Sequence, residues 1–197
     1  MTLPNKLTCL RIVMVPVFLV LLTVDFPHHY LAALLVFILA SLTDMIDGKL
    51  ARKHGLITNL GKFLDPLADK MLTTAAFLGF MVCGIGGAVP MMWVNFIVLT
   101  REFLVTSVRL MAASSGKVVA ANIYGKIKTV SQMSAIIAAL FFEYLIGLDA
   151  DLGLGLLAGL PAAVMRAVYA AAIWFSAVMA VVSGLVYAWQ NRQFLKN

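Results

Sequence analysis

Four aspartates lie close together in a chain with only nine acidic residues, Asp44 and Asp47 ending one apolar run, Asp65 and Asp69 opening the next. On a helix, Asp44, Asp47, Gly48 and Ala51 fall on one narrow face, and Asp65 and Asp69, four apart, share another. Bare carboxylates converging from two helical segments repel one another, whereas divalent cations hold them together in ionised form. Hard oxygen ligands with no Cys or His nearby favour magnesium or manganese. Asp44-x-x-Asp47-Gly48 lacks the alternating oxygens of an EF-hand loop, which excludes that class of calcium site. Two ions here could bridge a diphosphate and neutralise both its entering and its leaving oxygens. The competing reading makes the aspartates solvated helix-end residues beside Arg52, Lys62 and Lys70. The cluster of four argues against it, because ionisable groups among apolar runs are expensive and mark function.

The residues around the cluster extend the chemistry. Gly48 and Ala51 either let two helices approach or leave room for a flat base or a phosphate against the backbone. Arg52, one residue further round, offers a planar fork to a pair of phosphate oxygens, and Gly61 opens a helix whose first amides favour anions. Further on, Arg101 and Glu102 can neutralise each other as a buried pair. Alternatively Arg101 joins Arg109, Lys126 and Lys128 in a cationic pocket suited to a small phosphorylated substrate.

Positioning these groups falls to apolar helices. Of the 197 residues 62% are hydrophobic and 12% charged, with a mean hydropathy of +0.98. Those values belong to an integral membrane protein, with the lipid bilayer as its surroundings. The net charge of +6 does not point to nucleic acid, because Lys and Arg sit at the ends of apolar runs and form no basic tail. The expected fold is an all-α membrane domain over residues 1–197. It has an amphipathic lead-in at 1–10, where Lys6 and Arg11 snorkel to the head groups, and six spans at about 11–24, 30–52, 61–83, 89–113, 123–148 and 162–189. The N-terminal run imitates a signal peptide but lacks a small-residue cleavage pattern before Asp25, so it reads as a retained span. Basic residues crowd one side of this layout, while Asp25, Asp149 and Asp151 stand with Arg166 on the other. By the positive-inside rule both termini and an open active-site cavity face the cytoplasm, and the expected location is the cell inner (cytoplasmic) membrane. His28 and His29 fall on the side away from the aspartates, and Cys9 and Cys83 imply no disulfide.

The assembled pattern Asp44-x2-Asp47-Gly48-x2-Ala51-Arg52-x8-Gly61-x3-Asp65-x3-Asp69 resembles, at every signature position, that of the CDP-alcohol phosphotransferase family. Pro4-Asn5-x-x-Thr8-x-x-Arg11, Leu64 to Lys70, Arg101-Glu102 and Gly125 to Thr129 look like its bacterial phosphatidylglycerophosphate synthase branch. The resemblance implies a membrane enzyme transferring a phosphatidyl group from CDP-diacylglycerol to glycerol 3-phosphate, with release of CMP. It makes Asp44, Asp47 and Asp65 ligands of two divalent cations, and Asp69 both a ligand candidate and the base for the acceptor hydroxyl. Asn5, Thr8, Gly48, Ala51, Arg52 and Gly61 would then surround the CMP portion, with a homodimer as a candidate assembly. Sibling activities change the acceptor to inositol phosphate, serine or phosphatidylglycerol. A divalent-metal transporter is the reading from another class, but it gives Gly48, Ala51 and Arg52 no task and has no acidic path across the bilayer.

Overall fold

The structure, a computed structural model, describes residues 3–54, 59–114, 122–153 and 161–192; within these, the side chains of residues 3, 4, 45–54, 59–63, 65, 66 and 69 fall outside the described part. Every apolar run becomes a helix: α1 (Leu3–Thr23), α2 (His29–His54), α3 (Asn59–Cys83), α4 (Ala88–Ser114), α5 (Ile123–Leu152) and α6 (Ala162–Gln190). No strand occurs among the described residues. Within α1, α4, α5 and α6 lie stretches long and apolar enough to cross a membrane. Among the described residues α2 and α3 contribute shorter apolar stretches, His29–Asp44 and Lys70–Cys83.

The N-terminus departs from expectation. Among the described residues the lead-in and the first span form one helix, Leu3–Thr23. Asn5, Thr8 and Arg11 recur every three residues on one face of it and are buried. Arg11, 1% exposed, does not snorkel outward but turns inward to Asp44, Nη1 to Oδ1 2.5 Å. An inward carboxylate offers a buried guanidinium more than the head groups do, once three helices enclose it.

Small residues set the packing. Ala33, Ala40, Ala76, Ala135, Ala139 and Ala180 are fully buried where the helices meet, which lets backbones approach closely. Phe18 and Phe37 fill the seam between α1 and α2, ring centroids 5.7 Å apart. Helix α5 lies along α6 and also meets α2, while α1 packs on α2 and α3, and α4 on α3 and α6. Outward-facing Val13, Leu35, Phe96, Phe103 and Leu185 are each more than half exposed, an apolar exterior that suits lipid.

Local signals fix the helix ends. Gly84, Gly86 and Gly87 take φ of 74°, 73° and 82° between α3 and α4, where a side chain would be strained. Asn122 caps α5 by accepting a bond from the Gly125 amide at 2.9 Å, and Gly153 ends the helix in the left-handed region. Beside the glycine turn, Glu143 of α5 accepts bonds from Tyr169 Oη (2.6 Å) and Arg166 Nε (3.2 Å) of α6. This buried carboxylate is neutralised within the bundle, joining α5 to α6 at the end away from the aspartates.

Candidate active site

A cavity of about 680 Å³ opens where the later turns of α2 and α4 meet the earlier turns of α3 and α5. Asp44 lines it together with Lys70, Arg101, Arg109, Lys126 and Lys128. Among the described residues, five cations line it with two carboxylates, those of Asp44 and Glu102. A chamber of this size and sign suits a compact phosphorylated molecule.

Each cation is held differently. Arg101 threads between α5 and α6, where its Nη2 donates to Ser183 Oγ at 2.7 Å. Glycines make the slot for it: a Cβ on Gly184 would stand 3.2 Å from Arg101 Cγ, and one on Gly125 3.1 Å from Nη2. Its Nη1 donates to Glu102 Oε1 at 2.9 Å, and Lys128 Nζ donates to the same oxygen at 2.6 Å. Lys70 Nζ lies 3.8 Å from the other Glu102 oxygen and donates to Thr106 Oγ1 at 2.7 Å. Glu102 thus gathers a cation from each of three helices, α3, α4 and α5. Both anticipated arrangements of Arg101 coexist: it pairs with Glu102 and it lines the cationic cavity.

Arg109 and Lys126 stand at the exposed rim. Arg109 Nε donates to Tyr187 Oη at 3.3 Å, which steadies the guanidinium without neutralising it. Asp44, held by Arg11 with its side chain 39% exposed, keeps contact with the cavity. Asn5 and Thr8 share the buried α1 face with Arg11.

The rest of the pattern is placed by its backbone. Asp47, Gly48, Ala51 and Arg52 continue α2 beyond Asp44, and Gly61, Asp65 and Asp69 occupy the first part of α3, but their side chains fall outside the described residues. Among the described residues no three His, Cys, Asp or Glu side chains converge to hold a metal ion. The donor set as it stands in the chain is nevertheless all oxygen and all acidic, which fits a hard divalent cation. His28 and His29 border a separate cavity of about 480 Å³ with Asp25, Tyr144 and Asp151.

Sequence reasoning had not assigned Lys70, Thr106, Glu102 or Gln132 to the cavity they all line. Lys70 adjoins Asp69, and Gln132 follows Lys128 by one helical turn, so their spacing carried a signal. The convergence on Glu102 needed the packed helices to be seen.

A family model described as CDP-alcohol phosphatidyltransferase matches residues 1–182. The chain belongs to this family. A relative in Bacillus subtilis (strain 168), a CDP-diacylglycerol--glycerol-3-phosphate 3-phosphatidyltransferase, is 38% identical over 98% of this chain and 97% of its own length. A probable phosphatidylglycerophosphate synthase of Mycobacterium tuberculosis (strain ATCC 25618 / H37Rv) is 44% identical over 68% of this chain and 63% of its own. A 3-phosphatidyltransferase of Rickettsia bellii (strain RML369-C), named like the Bacillus protein, is 37% identical over 68% and 72%. As a member of the CDP-alcohol phosphatidyltransferases, the chain carries the aspartate pattern and the cationic cavity inside the matched region.

Proposed function

We infer that the chain transfers the phosphatidyl group of CDP-diacylglycerol to sn-glycerol 3-phosphate, yielding phosphatidylglycerophosphate and CMP. The observation that carries this reading is the meeting of Asp44, first of the aspartate pattern, with five cationic side chains in one cavity. A diphosphate donor needs the former and a phosphate-bearing acceptor the latter. The names of the relatives in Bacillus and Rickettsia supply the two substrates.

Asp44, Asp47 and Asp65, with Asp69 contributing, would hold two divalent cations, magnesium or manganese, whose charge offsets that of the donor diphosphate. Asn5, Thr8, Gly48, Ala51, Arg52 and Gly61 surround the CMP portion, with Arg52 set against its phosphate. The acceptor phosphate docks on Arg109, Lys126 and Lys128, with Arg101 behind them. Glu102 draws Lys128 and Arg101 to one carboxylate oxygen and offsets their mutual repulsion, which keeps both cations at the cavity wall. Asp69 takes the proton of the acceptor's free primary hydroxyl as its oxygen bonds to the phosphorus bearing the diacylglycerol. The bond from that phosphorus to the CMP oxygen breaks in line, and CMP leaves as the monophosphate.

The six helices all cross the cytoplasmic membrane in this reading, with both termini and the cavity on the cytoplasmic side. Support comes from charge: Lys6, Arg11, Lys70, Arg109, Lys126 and Arg192 stand toward the cavity end, and Arg166 toward the other. An acceptor screen with labelled CDP-diacylglycerol and purified protein in detergent tests the function. Product formation with glycerol 3-phosphate, and not with serine, inositol phosphate or phosphatidylglycerol, is expected. Preference for any of the other three overturns the acceptor assignment.

A further inference from the structure

Gln132 is the least satisfied polar side chain bordering the cavity. It is fully buried, yet among the described residues neither its amide nitrogen nor its amide oxygen has a hydrogen-bond partner. Buried amides are normally paired, because leaving both ends unmet forfeits the hydration they had in the unfolded chain. Its place is specific. Gln132 follows Lys128 by four residues on α5, so it occupies the same face one turn deeper, with Thr73 and Thr106 also on the cavity wall.

The chemistry of an amide narrows what it can meet. A carboxamide offers a donor and an acceptor side by side, whereas the phosphate of the acceptor only accepts, and the cations already on the wall serve it. A partner that both gives and takes a hydrogen bond is a hydroxyl. Glycerol 3-phosphate has two, and the reaction consumes the proton of one, the primary. We propose that Gln132 is a specificity-determining residue that hydrogen-bonds the secondary hydroxyl of the acceptor, so that the cavity selects a vicinal polyol phosphate over one lacking that group. A site built to bond a hydroxyl rejects an analogue without it, since its polar group is then left unpaired.

This assignment rests on the acceptor reading above and is tested by a matched pair of acceptors, glycerol 3-phosphate and 3-hydroxypropyl phosphate, which lacks only the secondary hydroxyl. Wild-type protein in detergent is expected to favour glycerol 3-phosphate at least tenfold in kcat/KM. Gln132→Leu and Gln132→Met should bring that ratio to near one by losing efficiency with glycerol 3-phosphate alone, leaving the KM for CDP-diacylglycerol in place. Either variant suffices if the other does not fold. A purely structural glutamine would shift thermal stability and lower both acceptors together, or neither; an unchanged ratio in an active variant therefore overturns the assignment. So does a wild type that treats the two acceptors alike, which requires no variant. Wild-type protein that turns over neither, while using another alcohol, overturns the acceptor reading and this assignment with it.

Discussion

Two lysines on one helix, two residues apart, separate acceptor binding from fold stability. Lys126 is exposed at the rim, whereas Lys128 is 5% exposed and bonded to Glu102 at 2.6 Å. Replacing Lys128 with Gln leaves the Glu102 carboxylate, whose side chain is 12% exposed, without its shortest charge-assisted bond. Such a bond contributes about 1.5–3 kcal/mol, and for a chain of this length each kcal/mol moves the melting temperature by about 2–4 °C. Lys128→Gln should therefore melt about 3–12 °C below wild type. Lys126→Gln should melt within about 2 °C of it, because a solvated surface charge contributes little to stability. Kinetics should order them differently: both lose efficiency with glycerol 3-phosphate, Lys126→Gln by about tenfold and more so at low salt, and neither changes the KM for CDP-diacylglycerol. Melting curves by intrinsic fluorescence and acceptor saturation on the same detergent preparations provide the check. Equal melting temperatures would refute the buried pairing of Lys128. Unaltered acceptor kinetics in Lys126→Gln would refute the rim as a phosphate dock.

Asp44→Asn, Asp47→Asn and Asp65→Asn should each reduce CMP release below a tenth of wild type at saturating metal, and a chelator should abolish it reversibly, as measured by CMP chromatography. Arg11→Met should lower stability by about 1–2 kcal/mol, between the values for exposed and for buried pairs because Arg11 is buried while the Asp44 side chain is 39% exposed, and differential scanning of the purified variant reads this directly. Gly184→Ala should displace the Arg101 arm, whose Cγ would lie 3.2 Å from the new methyl, and raise the KM for glycerol 3-phosphate several-fold without altering insertion. A cysteine at Asn59 in a protein otherwise free of Cys9 and Cys83 should resist an impermeant thiol reagent in intact cells while one at Asp151 is labelled; the reverse pattern would invert the proposed topology.

Helices were easier to read from the chain than side-chain directions. Long apolar runs interrupted at Asp25 to His28, between His54 and Asn59, at Gly84 to Gly87, before Asn122 and between Leu152 and Ala162 leave little choice but six helices, because period and length dominate that decision. Arg11 shows where the reading stopped. A basic residue near the start of an apolar helix reads as a head-group anchor until a second helix supplies an inward carboxylate, and only the packing of α1 on α2 brings Asp44 within reach. Glu102 follows the same logic. Its adjacency to Arg101 was legible, but Lys70 and Lys128 lie 32 and 26 residues away along the chain, and no local pattern announces such a convergence. Gln132 was overlooked for a different reason: an amide carries no charge to attract notice, and its significance lies in having been buried without a partner.

Helix α5 also measures depth. Roughly twenty residues separate Lys128 from Asp149, about 30 Å of helical rise, which equals the thickness of a bilayer's hydrocarbon layer. In the proposed membrane arrangement Asp149 and Asp151 lie in water on one side, which sets Lys128 at the opposite oil–water boundary and Lys126 just beyond it. Glu143, the carboxylate in between, needs no water because Arg166 and Tyr169 already satisfy it. In that arrangement the cavity straddles the boundary between two solvents. A donor that dissolves only in lipid and an acceptor that dissolves only in water can meet there, each keeping the greater part of its surface in the phase it came from.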